Sequence, residues 1–321
     1  MRTEFGRIAA LAACLLFAPA ALAQTYPSRQ IRLVVPYAAG GPADLLGRVI
    51  ADEMSKDLGQ PVFVDNRPGA NTIIGAELVA KADPDGYTLL MAIDGTLVMN
   101  PFLYNKLSYN PFKDFAPVSL IAKVPTVIEA NNSVTANTVN ELIDQEKAKP
   151  GSFLMGYSTP TSQVTAELFN MRAGIKLTLV PYRGGTTEVT GLLGGEIQLG
   201  LESVNVALPF ARAGKLKIIA LTDRERISLA PEIPTVAETL PDFDLGIWQS
   251  VVAPAKTPPQ ILNKLHDEIV AVLSRDSVRN KLQTAGIEPA TSKSPQDFAE
   301  FIRSQAEVRE KVIQAVGLKL D

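Results

Sequence analysis

The chain repeats one local pattern: a short β-branched run, a glycine- or hydroxyl-rich loop, then a segment with helical spacing. That order constrains the fold more than any other feature. Strands alternating with helices build mostly parallel sheets with helices on their faces. Ile31-Arg32-Leu33-Val34-Val35-Pro36 reads as a strand stopped by proline. Residues 44–58 then carry apolar side chains at 45, 46, 49, 50, 54 and 58, which is helical spacing. Pro42 suits the first turn of that helix, where a missing N–H is harmless. Further strands are predicted at 62–64 and 87–92, with a helix over 74–82 between them.

The pattern restarts after an extended stretch at 118–130, broken by Pro125. Helices are predicted at 139–149, 164–173, 188–193 and 206–213, and strands at 153–157, 177–180, 197–201 and 216–221. A connection with Pro231, Pro234 and Pro241 leads to an extended run at 248–253, then to amphipathic helices at 258–273 and 295–316. A length of 321 residues suits two domains, each with its own core. The two extended crossings suggest that domain 1 is residues 24–124 plus 248–321, and domain 2 is 125–247. Two consecutive domains are the alternative. In the re-entrant arrangement the adjacent crossings form a hinge, with a ligand between the domains.

Residues 1–23 read as a secretory leader. Arg2 and Arg7 precede an apolar run from Ile8, and Ala21-Leu22-Ala23 fits a small-x-small cleavage site. The run is too short, and Pro19 too disruptive, for a membrane span. Leu11-Ala12-Ala13-Cys14 resembles a lipobox, which is the competing expectation. Cleavage after Ala23 removes Arg2, Arg7 and Glu4 and takes the net charge from −3 to −4. It also removes Cys14, the only cysteine, which suits an oxidising compartment. The chain is expected to be exported and soluble, without membrane insertion.

The acidic balance argues against nucleic-acid binding through broad phosphate neutralisation. One histidine and no mature cysteine exclude a Cys- or His-rich metal site. No Gly-x-Ser-x-Gly elbow, His-Glu-x-x-His or P-loop is present, since Gly214-Lys215 is followed by Leu216. His266, between Leu265 and Asp267, is expected on the solvated face of its helix. A hydrolase would need Ser/Lys or paired-carboxylate chemistry, and the acids form no specific pattern.

What stands out is the loops at the C-terminal ends of strands, where α/β sheets bind ligands. Tyr37-Ala38-Ala39-Gly40-Gly41-Pro42-Ala43-Asp44 leads into a helix N-terminus, whose free N–H groups attract anions. The same loop would also serve as a tight turn with Asp44 as N-terminal charge partner. Ser158-Thr159-Pro160-Thr161-Ser162 offers hydroxyls before another helix, or simply an N-cap by Ser162. Tyr182-Arg183-Gly184 adds a guanidinium suited to a carboxylate, or to a surface acid. Asp94, near Thr96, and Glu202 follow strands; either would accept from a ligand hydroxyl, ammonium or protonated carboxyl. Asp94-Gly95 is equally a turn pair. Trp248 would lid the cleft or pack at the hinge. Three such loops across both halves favour a small-anion site.

These motifs resemble the Bug-type receptors, the periplasmic solute-binding proteins of tripartite tricarboxylate transporters. The resemblance rests on Val34-Val35-Pro36-Tyr37 with Gly40-Gly41-Pro42-Ala43-Asp44 and Arg48, on Asp65-Asn66-Arg67-Pro68-Gly69-Ala70, and on Asp83-Pro84-Asp85-Gly86-Tyr87-Thr88. Val180-Pro181-Tyr182-Arg183-Gly184-Gly185, Pro234-Thr235-Val236-Ala237-Glu238 and Ala253-Pro254-Ala255-Lys256-Thr257-Pro258 extend it along the chain. It implies an α/β Venus-flytrap fold of two lobes binding a small carboxylate or dicarboxylate, aromatic acids included. It also implies delivery to membrane transporter subunits by a monomer with no cofactor, metal or catalysis. The second loop departs from the family pattern: residues 158–162 lack glycine, and Gln163 lies near the usual histidine position. A ligand sensor for a signalling partner, or an exported carboxylate-acting enzyme, are the alternatives.

Overall fold

The computed structural model describes residues 26–40, 42–182 and 185–320. The leader, Cys14, Gly41, Arg183 and Gly184 therefore lie outside the described residues. The first sheet contains β1 (Ile31–Val35), β2 (Val62–Asn66), β3 (Thr88–Ile93), β4 (Phe115–Val124), β10 (Ile247–Pro254) and β11 (Glu288–Pro289), in the order β11-β4-β10-β3-β1-β2. The second contains β5 (Thr126–Ala130), β6 (Leu154–Tyr157), β7 (Thr178–Pro181), β8 (Leu199–Ser203) and β9 (Lys217–Leu221), in the order β7-β6-β8-β5-β9. The longer helices are α1 (Pro42–Leu58), α2 (Ile73–Ala80), α3 (Val139–Ala148), α4 (Pro160–Ala173) and α5 (Gly185–Gly194). They continue with α6 (Val204–Arg212), α7 (Pro259–Ser274), α8 (Asp276–Thr284) and α9 (Pro295–Val316).

The β1–β2, β1–β3, β6–β7 and β6–β8 pairs are parallel, as the alternation predicts. The remaining pairs are antiparallel, so both sheets are mixed. The cause is the chain crossings. β4 and β10 run beside each other in opposite directions, and so do β5 and β9. Pro125 ends one ladder because it has no N–H to donate, and β5 begins at the next residue in the other sheet. The return crossing lies alongside: Thr222 N donates to Thr126 O, and Ile247 pairs with Val124.

Strand alternation distributes the core. Leu33 and Val35 of β1 and Leu89 and Met91 of β3 pack on the α1 and α7 side. Val34, Leu90 and Ala92 point the other way, into a cluster with α2, α9 and residues of the second sheet. Both faces are buried, hence the continuous apolar runs. In α9 the buried positions 298, 302, 305, 306, 309, 312 and 313 follow helical spacing. Ser294 caps its N-terminus by accepting from Asp297 N at 3.0 Å, and Gly317 ends it in the left-handed conformation. Trp248 does not lid the cleft. It is buried against Phe298 and Phe301, with ring centroids 6.0 and 5.3 Å away.

His266 corrects the expectation of a solvated face. It is buried, and its Nδ1–H donates to the Val118 carbonyl at 3.1 Å. The β4–β10 register shifts twice, and Val118 is the extra residue at one of the shifts, so β10 provides it no partner. The histidine serves the bulge. Helix α8 and the π-turn at Gly95–Met99 were not foreseen. Among the described residues, no helix is long and apolar enough to cross a membrane.

Candidate functional site

A cavity of about 490 Å³ opens where the C-terminal ends of parallel strands from both sheets meet. Its walls are mostly apolar: Pro36, Ala38, Ala43, Pro68, Ile93, Met99, Val124, Pro160 and Ile247. Tyr37, Asn71, Thr72, Asp94, Asn100, Thr159, Thr161, Glu202, Ser203 and Gln249 supply its polar groups. Among the described residues, no lysine or arginine lines it. Helices α1, α2 and α4 all begin at its edge, so their N-terminal N–H groups are the positive elements there.

Of the residues singled out from sequence, Tyr37, Ala43, Asp94, Thr159, Thr161 and Glu202 line this cavity. Ala39 and Gly40 sit on the exposed loop beside it. Asp44 is spent on that loop. It accepts from Gly40 N at 2.9 Å, Arg48 Nε at 2.9 Å and Asn66 Nδ2 at 3.0 Å. The Arg48 bond first, then those of Gly40 and Asn66, hold its carboxyl down at about 2, against a burial that pushes it up. Asn66 Nδ2 also donates to Tyr37 O, so the pair fixes the β1–α1 connection. Thr96 lies behind the wall, with its hydroxyl 2.7 Å from that of Thr72.

Thr159, not Ser162, caps α4. Its hydroxyl accepts from Ser162 N, while Thr159 N donates to Ser162 Oγ, each at 3.0 Å. Ser158 and Ser162 face a small annex of about 30 Å³ that shares Thr159, Thr161 and Glu202 with the main cavity. Tyr182 turns away. Its ring packs over Gly191 and the Leu192–Ile197–Leu216 cluster, with its hydroxyl 3.5 Å from Glu196. Arg183, Gly184 and Gly41 fall outside the described residues.

Asp94 and Glu202 differ in setting. Asp94 is fully buried. Thr161 Oγ1, from the other sheet's α4, donates to Asp94 Oδ2 at 3.4 Å, and Arg309 Nη2 lies 3.7 Å from the same oxygen. Burial pushes the Asp94 carboxyl up and the Arg309 guanidinium down, and each charge draws the other back. Arg309 itself is buried and reaches Gln305 Oε1 at 2.5 Å and Gly246 O at 3.3 Å. It ties the cavity floor to the return crossing. Glu202 is half-buried; its Oε1 accepts from Ser203 N at 2.6 Å and Ser203 Oγ at 2.9 Å. Tyr37 is pushed up mainly by burial, then by Asp94.

Sequence reading missed Thr72, Asn100 and Gln249. The signal for Thr72 was the quoted Asp65–Ala70 motif, which ends two residues short. There Ala70, Asn71 and Thr72 are consecutively left-handed, with φ of 46, 48 and 73°. That conformation is costly for a β-branched residue and brings the start of α2 to the cavity. Asn100 and Gln249 carried no local signal, because their strand and turn read as apolar runs.

Residues 46–318 match the family model described as the tripartite tricarboxylate transporter family receptor. Protein BugT of Bordetella pertussis is 33% identical over 302 residues, covering 93% of this chain and 92% of BugT. The R. palustris Rpa4515 structure with adipate is 33% identical with a TM-score of 0.76, covering 92% of this chain and 99% of that one. MatC from Rhodopseudomonas palustris, with bound malate, is 30% identical with a TM-score of 0.71, covering 90% and 100%. The two-sheet architecture, the cavity between the sheets and these likenesses lead to one identification: the chain belongs to the tripartite tricarboxylate transporter receptor family, two-lobed periplasmic solute-binding receptors of the Bug type.

Proposed function

We propose that this receptor binds a small carboxylate in the cavity between its sheets and delivers it to the membrane subunits of a tripartite transporter. One observation carries the reading. Three helix N-termini and a set of hydroxyls surround an apolar cavity that has no described cationic side chain. Such a site suits an anion held by N–H and O–H groups around a hydrocarbon body. The adipate and malate bound by the two relatives support it. The lobes are taken as 24–124 plus 248–321 and 125–247, hinged at the two adjacent crossings, with the leader removed after Ala23. Tyr37, Ala43, Thr159 and Thr161 are placed against the ligand. Ala39, Gly40, Gly41 and Asp44 form the first clamp loop, while Ser158, Ser162, Arg183 and Gly184 stand on the second lobe's side.

Binding the folded state alone stabilises it by about 2.7 kcal/mol at a hundredfold excess over Kd. A thermal-shift series of mono- and dicarboxylates is therefore expected to raise Tm with concentration for a few related acids, each recovered chemically unchanged. A response to sugars or cations with none to acids would remove the reading. Asp44→Ala frees the first loop from α1 and is expected to weaken binding about tenfold. Calorimetry showing unchanged affinity would take that loop out of the site.

A further inference from the structure

Asp223 is a buried carboxyl group set on the joint between the two sheets, two residues after β9. Its Oδ2 accepts from Thr126 N, on the outgoing crossing, at 3.3 Å. Its Oδ1 lies against Gly246, on the return crossing, where a Cβ would come within 2.1 Å of it. A side chain at 246 would displace the carboxyl. The preceding Thr222 ties the same two crossings, donating to Thr126 O at 3.2 Å and Leu245 O at 3.4 Å. A recess of about 10 Å³ borders Asp223. Asp223 and Asp244 wall it from the second sheet's side, and Lys123, Trp248, Phe301 and Gln305 from the first's. A recess of that size holds about one water at most.

Those walls favour the neutral acid. Burial first, then the charge of Asp244, push the Asp223 carboxyl up to about 7 from 3.8, while Lys123 and the Thr126 N–H draw it back. Arg309, also at the joint, is engaged by Gly246 O and Asp94. Glu288, which pairs with Lys123 from β11, is turned to Ser228 and Gln283. Trp248 Nε1, in the recess wall, is buried and meets no acceptor. Water entering the recess satisfies the indole N–H and hydrates an ionised Asp223. A rotation of the lobes that widens the recess therefore releases the Asp223 proton, and proton binding and hinge angle become one linked equilibrium. We propose that Asp223 makes the joint between the lobes proton-sensitive: its neutral form holds the lobes together as described, and its ionised form favours lobes turned apart. The sign follows from the direction of the shift. Widening returns the carboxyl towards its ordinary value, so the lobes-together arrangement is favoured at low pH and lost as pH rises through the raised value. The inference rests on a hinge at the two crossings and not on the identity of the ligand.

The test is small-angle scattering and tryptophan emission on the unliganded protein from about pH 5.5 to about pH 8.5, with far-ultraviolet dichroism confirming that each protein stays folded. Trp248 is the only tryptophan, so its emission reports the recess. The radius of gyration is expected to rise by about 1 Å and the emission to move to longer wavelength, both with a midpoint near 7. Asp223→Asn keeps the shape without the charge and is expected to hold both signals at their low-pH values throughout. Lys123→Met is expected to move the midpoint up by about half a pH unit and Asp244→Asn down by about as much, because they remove charges of opposite sign. Glu129→Gln with Glu188→Gln, inside one lobe, is expected to leave the midpoint in place. Signals that stay level in the parent protein would overturn the inference and leave the carboxylate reading standing. A transition that persists in Asp223→Asn, that neither charge variant moves, or that the glutamate pair abolishes would overturn the assignment to Asp223.

Discussion

Arg309→Ala is expected to cost about 3–5 kcal/mol of stability, because it leaves the Asp94 carboxylate buried without its counter-charge. Among the described residues, Arg309 is the largest of the fully buried side chains. Its loss also opens a void beneath the cavity and frees Gln305 Oε1 and Gly246 O. For a protein of this size the loss corresponds to a fall in Tm of about 10 °C. Asp94→Leu with Arg309→Met should recover most of it, since exchanging a whole buried pair for apolar groups is often neutral or better. Thermal and urea unfolding of the three proteins measure the difference. An Arg309→Ala protein within about 1 kcal/mol of the parent would mean that water or a shifted side chain replaces the guanidinium.

Stability is expected to fall between pH 5 and pH 8.5. Glu129 on β5 and Glu188 on α5 are both fully buried. Both oxygens of Glu129 and Oε2 of Glu188 have no partner, while Glu188 Oε1 accepts from Leu201 N at 2.7 Å. Burial first, then for Glu129 the charges of Glu188 and Glu202, and for Glu188 that of Glu202, push each to about 8 from 4.5. Burial likewise pushes Asp223, behind the return crossing, to about 7 from 3.8. The sign follows from linkage. Between the unfolded and folded values the unfolded chain has released protons that the folded protein still holds. The stabilisation is complete below the unfolded values and is lost as pH rises through the folded ones. Each carboxyl gives a slope of about 1.4 kcal/mol per pH unit across its window. Glu129→Gln and Glu188→Gln should each flatten the profile. A Tm that is level or rises from pH 5 to 8.5 would contradict the protonated pair.

Most of the fold was legible because apolar period and turn residues report local structure directly. The run broken at Pro125 became two strands in two sheets, and the loops after β1, β3 and β6 reached the cavity together with the last residues of β8, which contains Glu202 rather than preceding it. What escaped was the fate of polar side chains. His266 was expected on a solvated face, and Arg309 and Gln305 are polar residues on the buried stripe of α9; all three are buried. Their burial is set by what packs on the helix: a register shift in β4 for His266, and the end of β3 for Arg309. Tyr182 and Asp44 do not line the cavity for a related reason. A loop motif gives the backbone's path, and the side chain's direction depends on neighbours distant in sequence, Gly191 and Asn66 here.

The place of β10 in the first sheet has a consequence for biosynthesis. β10 lies between β3 and β4, although it follows both by more than a hundred residues. A nascent chain that has emerged only through β9 holds the flanking strands without the one that joins them. Neither sheet face can close, and the Arg309 counter-charge for Asp94 comes later still. Folding of the first sheet must wait until β10 and α9 have emerged, since its central pairing is also among its most non-local. That delay suits a chain bearing the leader expected at residues 1–23, which would have to be threaded across a membrane before it becomes compact.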